Sequence, residues 1–324
     1  MDLEQFPNCM YRWLFYLVPH LLCAMPNQVV TYEGGSRFGD NLLCYLHAKW
    51  IAYQYQIPLA YKPFQYSSNL VLNEEEVCFD KDHKRRIIRL ENGPIDLQCQ
   101  DLVLYVCPFF PEDPWELMRG GYSFKVDWKN PEFRTIIRKM ITPKESLSLI
   151  VPSPDRINIA LHVREGGGFD AASTRLTHAS KLPPLTFYKE GLAKIVSLFP
   201  DKEIFCHLFT DARHPKKLIE LLKDALPPKA SVQFSYRKKH NGHDKNVLED
   251  FFSLFNFDIL IRPQSNFSIV PSLIHDYAIV YSPIEVSIVG DCVTIDKTNL
   301  EINEELYQKL LSRDTHSSSF FFSW

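Results

Sequence analysis

The feature that most constrains the fold of this chain is a regular alternation of short apolar runs and amphipathic segments between residues 156 and 281. The apolar runs are the length of strands, and the amphipathic segments repeat their apolar positions with the helical period. Strands that alternate with helices in this way form parallel βαβ units and a doubly wound sheet. We predict strands over residues 157–163, 204–210, 231–235, 258–262 and 278–281, and helices over residues 187–199, 215–226, 247–257 and 267–275.

The first half of the chain has a less regular pattern. A strand is predicted over residues 29–33 and a helix over residues 41–56. Residues 58–150 are punctuated by prolines and contain one clear apolar run, residues 102–106. The pattern in this stretch therefore defines few helices or strands.

The domain organisation follows from length and punctuation. A chain of 324 residues accommodates two domains. The polar stretch at residues 142–156 contains three prolines and is the expected boundary between them. We therefore predict an α/β protein with two Rossmann-like domains and parallel sheets, residues 1–150 and residues 151–324.

Composition argues against two classes of protein. The formal net charge is -3 and the Lys and Arg residues are scattered, whereas proteins that bind nucleic acid usually present a strongly basic face. We therefore expect no nucleic-acid partner. The eight cysteines are dispersed and form no C-x-x-C pair, so we expect reduced, buried thiols rather than a zinc ribbon or a disulfide framework.

The N-terminal segment leaves the location of the protein open. Residues 13–25 are apolar but are interrupted by Pro19 and His20. A bilayer-spanning helix needs about 20 residues, so this segment is too short. One alternative is a non-cleaved helix that packs on the protein or makes peripheral contact with a membrane through residues 11–25, and the other is an export signal or anchor. We expect a cytoplasmic protein with possible membrane association, and a secretory or anchored form is the open alternative.

A glycine-rich turn joins the first predicted strand to its helix. Gly34, Gly35 and Gly39 allow the backbone to approach a ligand closely, and the N-terminus of the following helix offers N–H groups to an anion. The alternative is a structural turn in which Asp40 or Asn41 is the helix N-cap.

A second candidate site follows the predicted strand 157–163. His162 and Arg164 alternate, so their side chains share one face, and three glycines follow at residues 166–168. Arginine binds phosphate in a bidentate manner, and successive glycine N–H groups form anion-binding nests. The alternative is that His162 is a core residue and Arg164 makes a structural ion pair.

A third candidate site lies within residues 246–272. A predicted helix carries Glu249 and Asp250, and a buried strand then leads to the start of the next helix. The hydroxyl and N–H groups at that start would form a phosphate site, although Ser265 as a simple N-cap explains part of the pattern without a ligand. The residues at this start are Ser265, Asn266, Phe267 and Ser268.

Together these segments resemble the superfamily of α1,2-, α1,6- and protein O-fucosyltransferases. The family's first motif, roughly G-x-[LF]-G-N-Q and a helix, is similar to residues 36–41 followed by Tyr45, Ala48, Lys49 and Ala52. Its H-x-R-x-G motif is matched by His162, Arg164 and Gly166. A strand that ends in Ser- or Thr-Asp is matched by Thr210 and Asp211, and the last motif by Glu249, Asp250 and residues 265–268. The four motifs occur in the family's order over residues 30–275.

The resemblance implies a GT-B-like glycosyltransferase with an acceptor-side N-terminal domain and a donor-side C-terminal domain. It implies inverting, metal-independent transfer of fucose from GDP-fucose to a hydroxyl of a glycan, glycolipid or protein. Arg164 would neutralise the leaving β-phosphate, and His162 would help to position the donor. Asp40 is the first candidate for the base, followed by Glu165 and Asp170. The implied donor-binding residues are Gly35, Arg37, Gly39, Asn41, Gly166, Asp211, Asp250, Ser265, Asn266, Phe267 and Ser268.

The sequence departs from the family's pattern at three places. Asp40 and Asn41 stand where Asn and Gln are usual, and Glu165 and Gly167 replace the second Arg and the Asp of the commoner HVRRGD form. Residues 269–271 replace the usual tryptophans. Two alternatives stay open: a catalytically inactive fucosyltransferase-like protein that binds a glycan or nucleotide, and a transferase that uses another nucleotide sugar.

A rival metal-binding signal is the D-x-D of residues 80–82. It lies in a charged run with no strand leading into it, and we interpret it as a solvated loop. We therefore expect no metal site.

Overall fold

The computed structural model describes residues 27–78, 84–90, 95–108, 125–166, 176, 178–238, 242 and 244–313. The apolar N-terminal segment, the D-x-D of residues 80–82, Gly167 and Asp170 lie outside the described residues. None of the helices in the described ranges combines the length and the apolar character that a membrane crossing requires.

The described residues belong to two compact units. The first takes its residues from Met1–Glu33, His47–Lys62 and Val77–Lys125, and the second from Gly34–Leu46, Pro63–Glu76 and Val126–Trp324. Residues 126–150 thus group with the second unit. The division into an acceptor-side domain of residues 1–150 and a donor-side domain of residues 151–324 stays a prediction.

The first unit is built on parallel strands. Its three-stranded sheet has the order β1-β5-β4, and the short strands β2 and β3 form a separate parallel pair. The apolar runs predicted at residues 29–33 and 102–106 correspond to β1 and β5, which are neighbours and are buried along their whole length. The strands are β1 (Gln28–Tyr32), β2 (Ala60–Tyr61), β3 (Val77–Cys78), β4 (Arg86–Arg89) and β5 (Val103–Cys107).

The second unit is built on a six-stranded sheet with the order β11-β10-β9-β6-β7-β8. All neighbouring strands are parallel except β10 and β11, which form an antiparallel hairpin. The strands are β6 (Ile157–Val163), β7 (Ile204–Thr210), β8 (Val232–Tyr236), β9 (Ile259–Ile261), β10 (Ile279–Val289) and β11 (Cys292–Ile302).

Helices and short 3-10 turns connect and cover these strands. Helix α1 (Phe38–Tyr55) begins three residues before the predicted position, so that Asp40 and Asn41 lie in its first turn and neither is the N-cap that the sequence suggested. The other helices are α2 (Leu72–Glu75), α3 (Pro131–Ile141), α4 (Leu185–Ser197), α5 (Pro215–Lys223), α6 (Val247–Ser253), α7 (Asn266–Ile274) and α8 (Glu304–Leu311), with 3-10 turns at Ser67–Asn69 and Leu254–Asn256.

Strand β6 lies at the centre of the sheet and is buried on both faces. Its side chains at Ile157, Ile159 and Leu161 pack into a large apolar cluster, together with α4 and α5. Ala160 points the other way, into a second cluster. Burial on both faces is typical of parallel sheets covered by helices, and it explains why β6 is apolar throughout.

The strand order reverses between β6 and β9. From β6 the chain proceeds outward to β7 and β8, and it then returns to place β9 and β10 on the other side. In doubly wound sheets, ligands bind at the carboxyl ends of the strands where the order reverses. The segments that follow β6 and β9 are the second and third candidate sites of the sequence.

The sequence did not predict the extension of β10 or the elements β11, α2, α3 and α8. Strand β10 continues to Val289, passing an irregularity in pairing between Pro283 and Glu285, and it turns at Gly290, whose φ is 62°. Helix α3 begins with Pro131 after Asn130, whose side-chain oxygen accepts the N–H of Phe133 at 2.9 Å. Asn followed by Pro is a recognised signal for a helix start, so this helix was predictable from the sequence.

Candidate functional site

A cavity of about 230 Å³ opens in the second unit at the carboxyl ends of β6, β7 and β9. The starts of α1 and α6 and the segment around Tyr66 complete its lining. Nine of the residues predicted for the site line it: Arg37, Gly39, Asp40, His162, Arg164, Asp211, Asp250, Ser265 and Phe267. The motifs at the three places in the sequence therefore meet at one cavity.

His162 is buried at the end of β6 and is held by a chain of hydrogen bonds. Its Nδ1 lies 2.8 Å from Oγ of Ser268, and that hydroxyl donates to the carbonyl oxygen of Ser265 at 3.2 Å. These contacts fix the orientation of the His162 ring. Burial lowers the pKa of His162 to about 3, and the charges of Arg164 and Arg262 act in the same direction. The ring is therefore neutral at pH 7 and serves as a fixed hydrogen-bonding group.

Arg164 follows β6 directly and is half-buried at the cavity. Burial lowers the pKa of Arg164, and the Arg37 guanidinium is the next largest cause. Asp211 and Asp40 act in the opposite direction. Arg37 and Arg164 both line the cavity, and an arginine keeps its charge in proteins. Two positive charges therefore lie at this end of the sheet. Such a concentration attracts an anion with closely spaced charges.

Asp211 shapes the loop that carries Arg164. Its Oδ1 accepts the backbone N–H groups of Glu165 at 2.7 Å and of Gly166 at 3.3 Å. The carboxylate therefore fixes the turn after β6, and it occupies the glycine N–H that the sequence offered as part of an anion nest. Glu165 is exposed, and Gly166 is buried without lining the cavity.

Gly39 is explained by a close approach between two helix starts. A Cβ added at Gly39 would lie 2.5 Å from the backbone nitrogen of Phe267 and 2.8 Å from the carbonyl carbon of Asn266. The absence of a side chain thus lets the start of α1 pack directly on the start of α7. Phe38 completes the packing, since its ring meets that of Phe251 edge-on at 5.1 Å.

Asn41 holds the turn that precedes α1. Its Oδ1 accepts the N–H of Gly35 at 2.9 Å, and its Nδ2 donates to the carbonyl oxygens of Ser36 at 3.3 Å and Arg37 at 3.0 Å. Ser36 has a φ of 65°, a backbone conformation that these bonds help to stabilise. Gly35 and Asn41 do not line the cavity. Their hydrogen bonds hold the turn that carries Arg37.

Asp40 and Asn266 join the first and third motifs. Nδ2 of Asn266 donates to Oδ1 of Asp40 at 2.7 Å. Asp40 lines the cavity, whereas Asn266 is buried behind it. The start of α7 therefore presents Ser265 and Phe267 to the cavity, while Asn266 and Ser268 turn their side chains to Asp40 and His162.

Asp250 is a half-buried carboxylate at the cavity. Nε of Arg237 donates to its Oδ1, and the same guanidinium reaches the carbonyl oxygen of Ser148 at 3.1 Å. Burial raises the pKa of Asp250 to about 6, although the Arg237 charge works against that rise. Asp250 can therefore accept a hydrogen bond as a carboxylate at neutral pH and take up a proton in mildly acidic solution.

Sequence reasoning missed several residues of the site. Tyr66, Asp244 and Lys245 line the cavity, and the Tyr66 hydroxyl donates to the carbonyl oxygen of Asp244 at 3.1 Å. Tyr66 lies in the proline-rich stretch and has a φ of 68°, and no local sequence pattern predicts that it belongs to a site. Arg237 follows β8 at the same end of the sheet, and its position after a strand was the available signal.

In the described ranges, no three His, Cys, Asp or Glu side chains gather in a way that could hold a metal ion.

Comparison with known proteins identifies the fold. No protein-family model matches the sequence, and no curated protein matches it. A solved structure of an Arabidopsis thaliana FUT1 variant in complex with GDP is similar, with a TM-score of 0.51 over 79% of this chain and 71% of that chain, at 10% identity.

Two structures of a bacterial enzyme are also similar. NodZ alpha-1,6-fucosyltransferase soaked with GDP-fucose has 14% identity and a TM-score of 0.45, over 85% of this chain and 99% of that chain. Fucosyltransferase NodZ from Bradyrhizobium has 13% identity and a TM-score of 0.48, over 85% of this chain and 98% of that chain. The likeness to FUT1 shows the fold, which is a fucosyltransferase-like, GT-B-like α/β fold as the sequence predicted.

Proposed function

We propose that this protein is a glycosyltransferase that transfers fucose from GDP-fucose to a hydroxyl of a glycan, glycolipid or protein, with inversion and without a metal. The observation that carries the proposal is the pair of arginines, Arg37 and Arg164, at the cavity where the strand order reverses. A nucleoside diphosphate is the kind of anion that such a pair suits. The fold and the order of the motifs support the same class of donor.

The leaving group in this reaction is GDP, and its β-phosphate gains negative charge as the bond to the sugar breaks. Arg164 is the catalytic residue that neutralises this charge, and Arg37 binds the same diphosphate from the start of α1. Two fixed positive charges perform the electrostatic work that a metal ion performs in other transferases. Ser265 and Phe267 complete the donor site from the start of α7.

His162 and Asp250 are assigned to the nucleotide. The neutral His162 ring offers a lone pair or a hydrogen bond of fixed direction, and Asp250 offers a carboxylate acceptor. Both groups are held by protein partners before any ligand arrives, which lowers the cost of ordering them on binding. Asp211 supports this site through the loop that it holds.

Asp40 is assigned as the base that receives the proton of the acceptor hydroxyl. It lines the cavity together with Arg164, which places a carboxylate beside the charge that stabilises the leaving group. Glu165 is exposed and does not line the cavity, so it is the weaker candidate. The identity of the acceptor stays a prediction at the level of its class.

A second candidate function is binding without turnover. The specific observation in its favour is that Glu165 stands beside Arg164, where the resemblance leads one to expect a second arginine. This substitution removes a positive charge close to the diphosphate. A protein of this kind would bind GDP and release no fucose.

The experiment is a calorimetric titration with GDP, GDP-fucose, GDP-mannose and UDP-glucose without added metal. We expect binding of GDP and GDP-fucose and no binding of UDP-glucose. Arg164→Ala should weaken GDP binding roughly 10- to 100-fold, as loss of a charged hydrogen-bonding group does. Arg213→Ala removes an exposed arginine that does not line the cavity and is the matched control.

The outcomes separate the two candidate functions. Binding of GDP-fucose with release of fucose to water or an acceptor supports the transferase. Binding without release supports the non-catalytic protein. If no nucleotide binds, or if Arg164→Ala binds GDP as well as the unsubstituted protein does, the proposed donor site is wrong.

A further inference from the structure

The hydrogen bond between Asn266 and Asp40 joins residues that are 226 positions apart, at 2.7 Å. We infer that Asn266 is a positioning residue for the Asp40 base and is not a ligand of the donor. This inference rests on the proposed function, because it assigns Asn266 a part in the same reaction. It also replaces the sequence-based expectation that Asn266 binds the donor.

The first support is where the two side chains lie. Asp40 lines the cavity and Asn266 does not. Asn266 is 9% exposed, and its amide nitrogen is directed to a single carboxylate oxygen of Asp40. A donor ligand would have to displace this hydrogen bond in order to reach the amide.

The second support is that the backbone holds the pair together. Gly39, beside Asp40, lies so close to the backbone of Asn266 and Phe267 that a Cβ would meet it at 2.5 to 2.8 Å. The two helix starts are in close contact and have no room to move nearer to each other. A hydrogen bond between fixed elements orients a side chain far more closely than one between mobile loops.

The third support is the chemistry of the second carboxylate oxygen of Asp40. A carboxylate has two oxygens, and an amide donor on Oδ1 restricts the rotation of the group and therefore the direction of Oδ2. In the transfer step, the acceptor oxygen forms a bond to C1 of fucose while its proton passes to Oδ2 of Asp40. The bond between C1 and the β-phosphate oxygen breaks, and its electron pair leaves with GDP.

The test measures the release of fucose from GDP-fucose with water as the acceptor, in the full chain, for Asn266→Ala, Asp40→Asn and the double variant. We expect Asn266→Ala to lower kcat roughly 10- to 100-fold while the GDP affinity measured by calorimetry changes less than about twofold. In the Asp40→Asn background the same substitution should change kcat less than about twofold, because the group that it orients is already gone. Asn69→Ala, which alters an exposed asparagine of the same unit, is the control and should match the unsubstituted protein.

Each other outcome overturns the inference in a recognisable way. A loss of GDP affinity in Asn266→Ala would make Asn266 a donor ligand. An equal loss of kcat in both backgrounds would show that Asn266 acts independently of Asp40, as a purely structural residue does. If Asn266→Ala does not fold, the near-isosteric Asn266→Leu variant, which has no side-chain N–H to donate, takes its place with the same expectations. A wild-type protein that binds GDP-fucose and releases no fucose would refute the proposed transferase itself, whereas full activity in Asn266→Ala would refute only this inference.

Discussion

The close approach at Gly39 makes Gly39→Ala an informative single substitution. The added methyl would lie 2.5 Å from the backbone nitrogen of Phe267 and 2.8 Å from its Cα. These atoms belong to the backbone of α7 and cannot rotate away as the end of a flexible side chain can. To reach an ordinary contact of about 3.5 Å, the start of α1 and the start of α7 must separate by roughly 1 Å.

Two effects of opposite sign decide the change in the free energy of unfolding. Alanine favours a helix over glycine by about 1 kcal/mol, and less at the second residue of a helix such as Gly39. Forcing an extra methyl into a packed site costs about 1–3 kcal/mol. The steric term is the larger, so we expect a net loss of stability of about 1–2 kcal/mol, or roughly 2–8 °C in Tm for a unit of this size.

The loss of activity should exceed the loss of stability. A separation of roughly 1 Å would stretch the bond from Asn266 to Asp40 from 2.7 Å to about 3.7 Å, which is beyond hydrogen-bond distance. Asp40, the proposed base, would then lose its orientation even in the folded protein. We expect release of fucose from GDP-fucose to fall by at least about tenfold at a temperature where the variant is fully folded.

The assay is thermal unfolding together with initial rates, and Gly35→Ala is the matched control. A Cβ at Gly35 meets no atom within 4 Å, so this glycine of the same turn should accept alanine with little change in Tm. If Gly39→Ala is as stable and as active as Gly35→Ala, the helix starts are not in the close contact described here. The explanation of the glycine motif as a packing requirement would then be refuted.

Two further predictions concern stability. Gly191→Ala should lower Tm by several degrees in calorimetry, because its Cβ would lie 2.3 Å from a ring carbon of the buried Tyr281; an unchanged Tm would contradict this packing. Stability should fall as the pH drops below about 6.5, since burial lowers the pKa of His162 and His207 to about 3 and the unfolded chain therefore binds more protons. The lowered pKa of His275, about 4, acts in the same direction, and Asp250, whose pKa burial raises to about 6, offsets part of the loss. Urea midpoints at pH 7.5 and 5.0 measure the net loss, and His207→Gln should reduce the difference between them.

The sequence predicted the centre of the second unit well and its periphery poorly. The bounds of β6 and β7 agree with the predicted strands to the residue, because both are buried parallel strands whose apolar runs end sharply. The predicted strand 278–281 stopped short of the hairpin, since Pro283 breaks the strand pattern and only the irregular pairing beside it lets β10 continue. The length of β10 depends on its pairing with β11, which is a contact that the local sequence pattern does not show.

The predicted site residues meet at one cavity, but their side chains divide in a way that spacing alone does not show. Asn41 was expected to bind the donor and holds the turn before α1, and Ser268 was expected to seat phosphate and holds His162. Each of these bonds was invisible in the sequence, because the identity of a side chain does not specify its partner. The bond from Ser268 to His162, for example, crosses 106 positions.

The division explains why the motifs are weak evidence for turnover. Gly39, Asn41, Asp211 and Ser268 contact other parts of the protein, so a chain that binds nucleotide without catalysis would still need them to build the cavity. The motif pattern is therefore evidence for the structure around the cavity as much as for the reaction. Evidence for turnover must come from side chains that line the cavity, and Arg164 and Asp40 are the two to which the proposed transfer step assigns a chemical role. A variant that removes either one while leaving the cavity intact tests the reaction, whereas a variant at a scaffold residue tests only the fold.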